Sequence, residues 1–230
     1  MKIIVLGDGL LGSEIIKQAG YDFISRKQGG IDFNNLGSYY ECLYGYDTVL
    51  NCIAHTHVYS DEREIHMNTN FKSVVNLVDC CNKIGTKIIH ISTDYIYSNS
   101  KKDASENDIP SNCLNWYTYS KMLADGHVEN FAKKYLLIRT SFKPRPYPYP
   151  KATIQIGNFG YVDEIASLII KLIENNATGT FNVGIEKSTM FDFASRTTEV
   201  TMHEKNPVES MPEDISMNTD KMKKFLENCK

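Results

Sequence analysis

The sequence has no excess of charge of one sign, since 25 Lys and Arg residues stand against 28 Asp and Glu residues. The resulting net charge of −3 argues against nucleic acid or an anionic membrane as a partner. No apolar run reaches the roughly 18–20 residues of a membrane-spanning helix. The apolar stretch Lys2–Leu6 is too short for a secretory signal. We therefore expect a soluble cytoplasmic protein that binds neither nucleic acid nor a membrane.

The sequence also lacks the cysteine patterns of disulfide scaffolds and zinc modules. Its six cysteines form no CxxC pair, and none has a zinc-type spacing to histidine. We expect free, mostly buried thiols and no metal site. With 230 residues and 42% hydrophobic composition, the chain is long enough for one domain, or one and a half, with a substantial core.

Short apolar runs typical of buried strands alternate with segments of helical spacing up to residue 141. This alternation predicts an α/β fold, a Rossmann-type doubly wound parallel sheet with helices on both faces. The predicted strands are Lys2–Leu6, Tyr21–Ile24, Asp47–Ile53, Lys87–Ser92 and Tyr135–Ile138, and the predicted helices are Ser13–Ala19, Asn70–Ile84 and Tyr117–Lys133.

The pattern changes after residue 141. Prolines at 144, 146, 148 and 150 predict an extended connector over Lys143–Pro150. A loop and amphipathic helix at Gly160–Asn175, a strand at Thr180–Val183 and a weak helix near Thr219–Glu227 follow. We predict a dinucleotide-binding domain over residues 1–142 and a reduced substrate lobe over 143–230, with 160–184 returning to the Rossmann sheet.

A glycine-rich loop, Gly7-Asp8-Gly9-Leu10-Leu11-Gly12, lies between the first predicted strand and the first predicted helix. Gly7 permits the tight turn, Gly9 lets a pyrophosphate approach the backbone, and Gly12 allows close packing of helix on strand. The free N–H groups at the helix start would then face the phosphates. Glycines also occur in ordinary turns, so the prediction of a dinucleotide site depends on the position of this loop between a predicted strand and a predicted helix.

The second strand ends in Ile24-Ser25-Arg26-Lys27, where NAD-preferring sites usually have an acidic residue. A hydroxyl and two cations suit a 2′-phosphate, which favours NADP(H), with NAD(H) left open. A solvated basic turn is the equally weighted alternative for Ser25 and Arg26.

A YxxxK pattern places Tyr117 and Lys121 on one face of a predicted helix. A lysine beside a phenol is expected to lower the pKa of the phenol and allow proton transfer near neutrality. Upstream, Ser92-Thr93-Asp94-Tyr95 follows a predicted strand, which is where open α/β sheets bind their ligands. The Thr93 hydroxyl could bind a substrate carbonyl beside the tyrosine.

In this order and spacing, the three signals resemble the extended short-chain dehydrogenase/reductases, and most closely the dTDP-4-dehydrorhamnose reductase family. The resemblance covers roughly residues 1–185, and STDY followed by YxxxK is its specific part. The segments that carry it are Asp32–Phe33, Asn51–Val58, Asn70–Leu77, His90–Tyr97, Glu106–Asp108, Leu114–Tyr117, Ile138–Phe142 and Tyr161–Ala166.

The resemblance implies NAD(P)H-dependent reduction of a nucleotide-linked 4-keto-6-deoxy sugar in deoxysugar (rhamnose) biosynthesis. Tyr117 would be the general acid, Lys121 would hold the nicotinamide ribose, and Thr93 would align the carbonyl. The other implied cofactor residues are Gly9, Leu10, Leu11, Gly12, Asp32, Phe33, Ile53, Ala54, Thr56 and Asn70, and the implied substrate residues are Val58, Thr93, Asp94 and Tyr95. Lys143 and Arg145 could bind a nucleotide diphosphate of the substrate, with a solvated loop as the equally weighted alternative.

The sequence departs from the family pattern at several points. Leu6 replaces a threonine, the glycine loop is one residue shorter, Tyr59 replaces an aspartate, and Phe142 replaces a tryptophan. The segment between Ser141 and Tyr161 is compressed, which predicts a shallow pocket or one completed by a second subunit, as in a homodimer.

Two other functions stay open at this stage. A combined 3,5-epimerase/4-reductase would need a further acid or base, for which His57 is the candidate. A non-catalytic NADP-binding regulatory subunit is the alternative outside the enzymes. For His55 and His57 a hydrogen-bonded structural role is favoured, and for His90 a place in the core.

Overall fold

The computed structural model describes residues 1–29, 41–98, 101–108, 113–203, 207–208 and 211–229. Its centre is a six-stranded parallel sheet of order β10-β5-β4-β3-β1-β2. These strands are β1 (Ile3–Leu6), β2 (Asp22–Ile24), β3 (Thr48–Asn51), β4 (Lys87–Thr93), β5 (Tyr135–Thr140) and β10 (Gly179–Val183). The strand order reverses direction between β1 and β3, the position where such sheets bind ligands.

Helices cover both faces of the sheet. They are α1 (Leu10–Ala19), α2 (Arg26–Gly29), α3 (Arg63–His66), α4 (Ser73–Ile84), α5 (Trp116–Phe131), α6 (Val162–Glu174), α7 (Met190–Ala194) and α8 (Asp220–Glu227). A π-helical segment, Met67–Lys72, joins α3 to α4, and a 3-10 turn, Asp94–Tyr97, follows β4.

Alternation along β1 shows how the core divides between the two faces. Ile3 and Val5 pack with α1 and α6 on one face, whereas Ile4 and Leu6 pack with α4 and α5 on the other. Successive side chains of a strand point to opposite faces, so an apolar strand serves two cores at once. This arrangement confirms the predicted Rossmann-type α/β fold.

The predicted strands and helices of the first 141 residues are found with shifted ends. Helix α1 begins three residues earlier than predicted, at Leu10. The predicted helix at Asn70–Ile84 is preceded by helical structure from Arg63 onward. Helix α5 begins at Trp116 because the Asn115 side chain caps it, accepting a hydrogen bond from the Thr118 N–H.

The C-terminal part contributes to the main sheet and also forms a separate small core. Strand β10 pairs with β5, and the helix α6 before it packs on α1. A third cluster, which includes Tyr147, Phe159, Tyr161 and Phe193, lies among the strand pairs β6·β9, β7·β12 and β8·β11. Those strands are β6 (Phe142–Lys143), β7 (Lys151–Ala152), β8 (Ile156–Gly157), β9 (Gly160–Tyr161), β11 (Ser188–Thr189) and β12 (Thr201–Met202).

Lys143, the first residue of the predicted extended connector, belongs to strand β6. The connector also buries Tyr147, whose N–H donates to the Thr197 hydroxyl. The domain boundary at residue 143 stays a prediction. None of the helices in the described ranges is both long enough and apolar enough to cross a membrane.

Candidate functional site

The glycine loop has the geometry that a dinucleotide site requires. Gly7 has a φ of +95°, and its N–H donates to the Ile24 carbonyl. A Cβ on Gly12 would lie 2.1 Å from the Gly7 carbonyl oxygen, so glycine is required there for helix and loop to touch. A Cβ on Gly9, in contrast, would meet no atom of the described residues within 4 Å. The loop is therefore tightly packed at both ends and open in the middle.

The two leucines of the loop point in opposite directions. Leu11 is buried in the core, whereas Leu10 is 46% exposed at the start of α1. Any cofactor contact by Leu11 would therefore use its backbone N–H.

At the end of β2, the Ser25 side chain is buried, and its hydroxyl has no hydrogen-bond partner within the described residues. Arg26 is exposed and begins α2. The predicted adenine-side residues Asp32 and Phe33 lie outside the described residues.

The loop after β3 is held by buried amide side chains. Asn51 accepts a hydrogen bond from the Ile53 N–H at 3.1 Å. Asn70, in the π-helical segment, accepts from the His55 N–H at 2.8 Å and donates to the His55 carbonyl at 3.1 Å. Asn70 is fully buried, so it positions the loop that carries Ala54 and Thr56, of which Thr56 is exposed.

Lys121 is almost fully buried and belongs to a chain of polar contacts. Its Nζ donates to the Ile91 carbonyl at 2.6 Å and lies 3.2 Å from His90 Nε2. His90 Nδ1 lies 3.2 Å from Asn51 Nδ2. Burial lowers the pKa of Lys121 to about 8 and that of His90 well below its usual value.

His90 links Asn51 to Lys121. The Asn51 amide nitrogen faces His90 Nδ1, and the Lys121 amine faces His90 Nε2. The expected core histidine is therefore a polar neighbour of the lysine, a role that its strand position did not reveal.

The Tyr117 phenol lies near the Thr93 hydroxyl at the carboxyl end of β4. Burial raises the pKa of Tyr117 to about 12, the charges of Asp94 and Asp125 add to this rise, and the nearby Thr93 hydroxyl opposes it. The structure thus reverses the expected lowering of this pKa by Lys121. The reason is that the phenol is buried and the lysine amine is directed to His90 and the Ile91 carbonyl.

Asp94 and Tyr95 line the next turn. Burial raises the pKa of Asp94 to about 7, although Thr93 and the charge of Lys143 oppose the rise. The Tyr95 hydroxyl is 3.2 Å from that of Tyr59 and 3.4 Å from the Gln155 amide. These groups border a cavity of about 460 Å³, and among its lining residues are Val58, Tyr59, Tyr95, Lys143, Gln155 and Met190.

Arg145, predicted to bind substrate, is not among the described residues that line this cavity. Its guanidinium pairs with Asp163 at 3.0 Å and with Glu164 at 2.8 Å, at the exposed start of α6. Lys143, two residues earlier and the other cation predicted to bind a diphosphate, does line the cavity, as does Lys151.

A cluster of histidines lies beside this site, and little in the sequence indicates it. The His55 ring packs on His57 at 4.8 Å and on His66 at 4.5 Å, and His66 lies 6.1 Å from the Tyr117 ring. The His55 Nε2 is 3.4 Å from a Glu62 carboxylate oxygen. The available signal is the pair His55 and His57, two positions apart in a loop. Glu62 and His66 come close to this pair only in the folded chain.

Comparison with known proteins agrees with this geometry. The family model of the RmlD substrate binding domain matches residues 1–143. The dTDP-4-dehydrorhamnose reductase of Escherichia coli (strain K12) is 31% identical over 99 residues, which cover 42% of this chain and 33% of that protein. The spore coat polysaccharide biosynthesis protein SpsK of Bacillus subtilis (strain 168) is 28% identical over 150 residues, 61% of this chain and 53% of that protein.

Among solved structures, the dTDP-4-dehydrorhamnose reductase of Bacillus anthracis str. Ames in complex with NADP has the same fold. Its TM-score is 0.81 at 21% identity, over 99% of this chain and 97% of that chain. The matches to the two curated relatives span between about a third and a half of their length. Because the family model covers more than half of the sequence, the chain belongs to the family of the RmlD substrate binding domain.

Proposed function

We propose that this chain reduces the 4-keto group of a nucleotide-linked 6-deoxy sugar with NAD(P)H, with NADPH preferred and Tyr117 as proton donor. The observation that carries the proposal is that α5 brings two buried residues, Tyr117 and Lys121, to the carboxyl end of β4, where Lys121 Nζ donates to the Ile91 carbonyl at 2.6 Å and the phenol lies near Thr93. Lys121 lies buried one turn further along the same helix. The E. coli relative is a reductase of this kind by name.

The glycine loop fits a dinucleotide. The open space at Gly9 lets a pyrophosphate approach the first N–H groups of α1. The unpartnered hydroxyl of Ser25 and the exposed Arg26 are suited to a 2′-phosphate at the end of β2. These features support NADP(H), which is also the ligand in the Bacillus anthracis reductase structure.

When bound, the nicotinamide supplies a hydride to the carbonyl carbon. The Thr93 hydroxyl holds the carbonyl oxygen beside the phenol, and Tyr117 donates its proton to that oxygen. The raised pKa of Tyr117 keeps the phenol protonated at neutral pH, which a proton donor requires. Lys121 uses one N–H for the Ile91 carbonyl and keeps another for a hydroxyl of the cofactor ribose.

The cavity beside Tyr95 supports the assignment of the substrate class. Its half-buried Lys143 offers a cation to a nucleotide diphosphate, and its tyrosines offer hydroxyls and ring faces to a sugar. Asp94, with a pKa of about 7, lies between this lysine and the proposed carbonyl site.

The test is oxidation of NADPH by the purified chain, followed by absorbance, with dTDP- and UDP-linked 4-keto-6-deoxyglucose as substrates. Tyr117→Phe should abolish turnover and preserve NADPH binding. Tyr119→Phe is the matched control, because Tyr119 is on the same helix but is 37% exposed and should retain activity. Full activity of Tyr117→Phe would refute the role of this phenol.

Two further measurements, NADPH binding and isotope incorporation in D2O, separate the other functions. Tight NADPH binding without turnover on any 4-keto sugar would favour a non-catalytic regulatory subunit. Incorporation of solvent deuterium at C3 or C5 would indicate a combined epimerase and reductase. The cytoplasmic location and a homodimer stay predictions.

A further inference from the structure

We propose that His55, His57 and Glu62 form a binding site for one zinc-like divalent cation at the edge of the candidate active site. One ligand atom from each residue lies within 4.8 Å of the other two. The proposal does not rest on the reductase chemistry, although His55 and His57 flank Thr56 in the loop that is predicted to contact the cofactor.

The separations are close to those of a coordinated ion. Zinc bonds of about 2.0–2.1 Å in a tetrahedron put neighbouring ligand atoms roughly 3.4 Å apart. The His55 Nε2 and the Glu62 carboxylate oxygen are already 3.4 Å apart. The remaining separations are at most 4.8 Å. His57 is exposed and can turn to shorten them.

Two of the three ligands are held in place by their neighbours. Asn70 fixes the His55 backbone through hydrogen bonds to its N–H and its carbonyl. The Ser60 hydroxyl donates to the Glu62 carboxylate at 2.8 Å. Such supporting contacts orient metal ligands and increase affinity. The His55 Nε2 is also buried, and it faces the Glu62 carboxylate at 3.4 Å without completing a hydrogen bond.

The donor set selects the class of ion. Two imidazoles and one carboxylate suit Zn²⁺, Co²⁺ or Ni²⁺, whereas Mg²⁺ and Ca²⁺ prefer oxygen ligands throughout. Three protein ligands with exposed Glu62 and His57 leave a fourth position open to water or a ligand. The His66 ring lies 4.5 Å from the His55 ring and 6.1 Å from the Tyr117 ring, so the cluster adjoins the proposed proton donor.

The experiment is a titration of the chelator-treated full chain with Zn²⁺ against a chromophoric chelator, repeated with Co²⁺ by visible absorption. We expect one equivalent to bind with a tetrahedral Co²⁺ spectrum. His57→Gln and Glu62→Gln should each weaken binding about tenfold or more. His127→Gln is the matched control, because His127 is a half-buried histidine on α5 outside the cluster.

Circular dichroism of each variant checks that it folds, and the exposed positions of His57 and Glu62 favour folding. The proposal is overturned if the wild-type chain binds no stoichiometric Zn²⁺. It is equally overturned if both cluster variants bind as the wild type and the His127 variant do, since the ion would then be held elsewhere, for example at the exposed thiol of Cys229.

Discussion

Three glycine-to-alanine substitutions separate the packing role of the glycine loop from its proposed cofactor role. In Gly12→Ala the new methyl group would lie 2.1 Å from the Gly7 carbonyl oxygen, which is backbone and can move only with β1 and the loop. Overpacking against side chains costs about 1–3 kcal/mol. We expect a loss of at least about 3 kcal/mol in the free energy of unfolding, because here the obstacle is backbone.

Gly9→Ala should behave differently, since its methyl group meets no described atom within 4 Å and the Gly9 φ is −66°. Alanine is a poorer N-cap than glycine, so we expect a loss of about 0.5–1 kcal/mol in stability. The methyl group would, however, occupy the space proposed for the pyrophosphate. NADPH affinity should therefore fall about tenfold or more, equivalent to about 1.4 kcal/mol.

Gly126→Ala is the control, because Gly126 is inside α5 with open space around it, and alanine there should add about 0.5–1 kcal/mol. Urea unfolding followed by the fluorescence of the single tryptophan, Trp116, measures stability, and NADPH fluorescence measures binding. A Gly12→Ala protein as stable as wild type would refute the packing argument. Wild-type NADPH affinity in Gly9→Ala would refute the assignment of the loop to the cofactor.

Three further predictions concern charged groups. Arg139→Met leaves the buried carboxylate of Asp125 without its partner at 3.0 Å and should cost about 3–5 kcal/mol in urea unfolding, with a smaller loss contradicting a buried ion pair. The raised pKa of Asp94 means that the folded state binds an extra proton between pH 4 and about 7, so the free energy of unfolding falls as pH rises through this window. Asp94→Asn should flatten this dependence on pH. An unchanged slope in the variant would contradict the raised pKa. Arg26→Ala should weaken binding of NADPH more than that of NADH, and equal weakening in a titration of both would oppose a contact with the 2′-phosphate.

The sequence predicts the main sheet well because most of its strands are short apolar runs that are buried on both faces. It misses the helical start at Arg63 because residues 63–69 carry polar groups with no apolar period. That segment is fixed by tertiary contacts of Asn70, whose amide reaches the His55 backbone and the Ser120 hydroxyl. These hydrogen bonds join residues 15 and 50 positions apart, so the local hydrophobic pattern cannot indicate them.

The candidate site, like the fold, could be predicted from the sequence only in part. The pair Tyr117 and Lys121 could be predicted, since a spacing of four residues fixes their common face on any helix. The direction in which the pKa of Tyr117 shifts could not be predicted, because it depends on burial and on the charge of Asp94, which lies on another element. Lys143 and Arg145 are both cationic and lie two positions apart, so the sequence does not distinguish them. In the fold, however, Arg145 forms ion pairs with Asp163 and Glu164, which are 18 and 19 positions further along the chain.

The register of the parallel sheet determines which residues of the candidate site come into contact. Asn51 on β3 pairs directly with His90 on β4, so their side chains share a face and meet at 3.2 Å. His90 then reaches Lys121 on α5, and Thr93, three residues beyond it on β4, reaches Tyr117 on the same helix. A slip of one residue between β3 and β4 would turn His90 to the other face and break the contact with Asn51. The apolar residues that fix this register, Val49 against Ile88 and Leu50 against Ile89, therefore position the lysine and the phenol as firmly as the polar residues do.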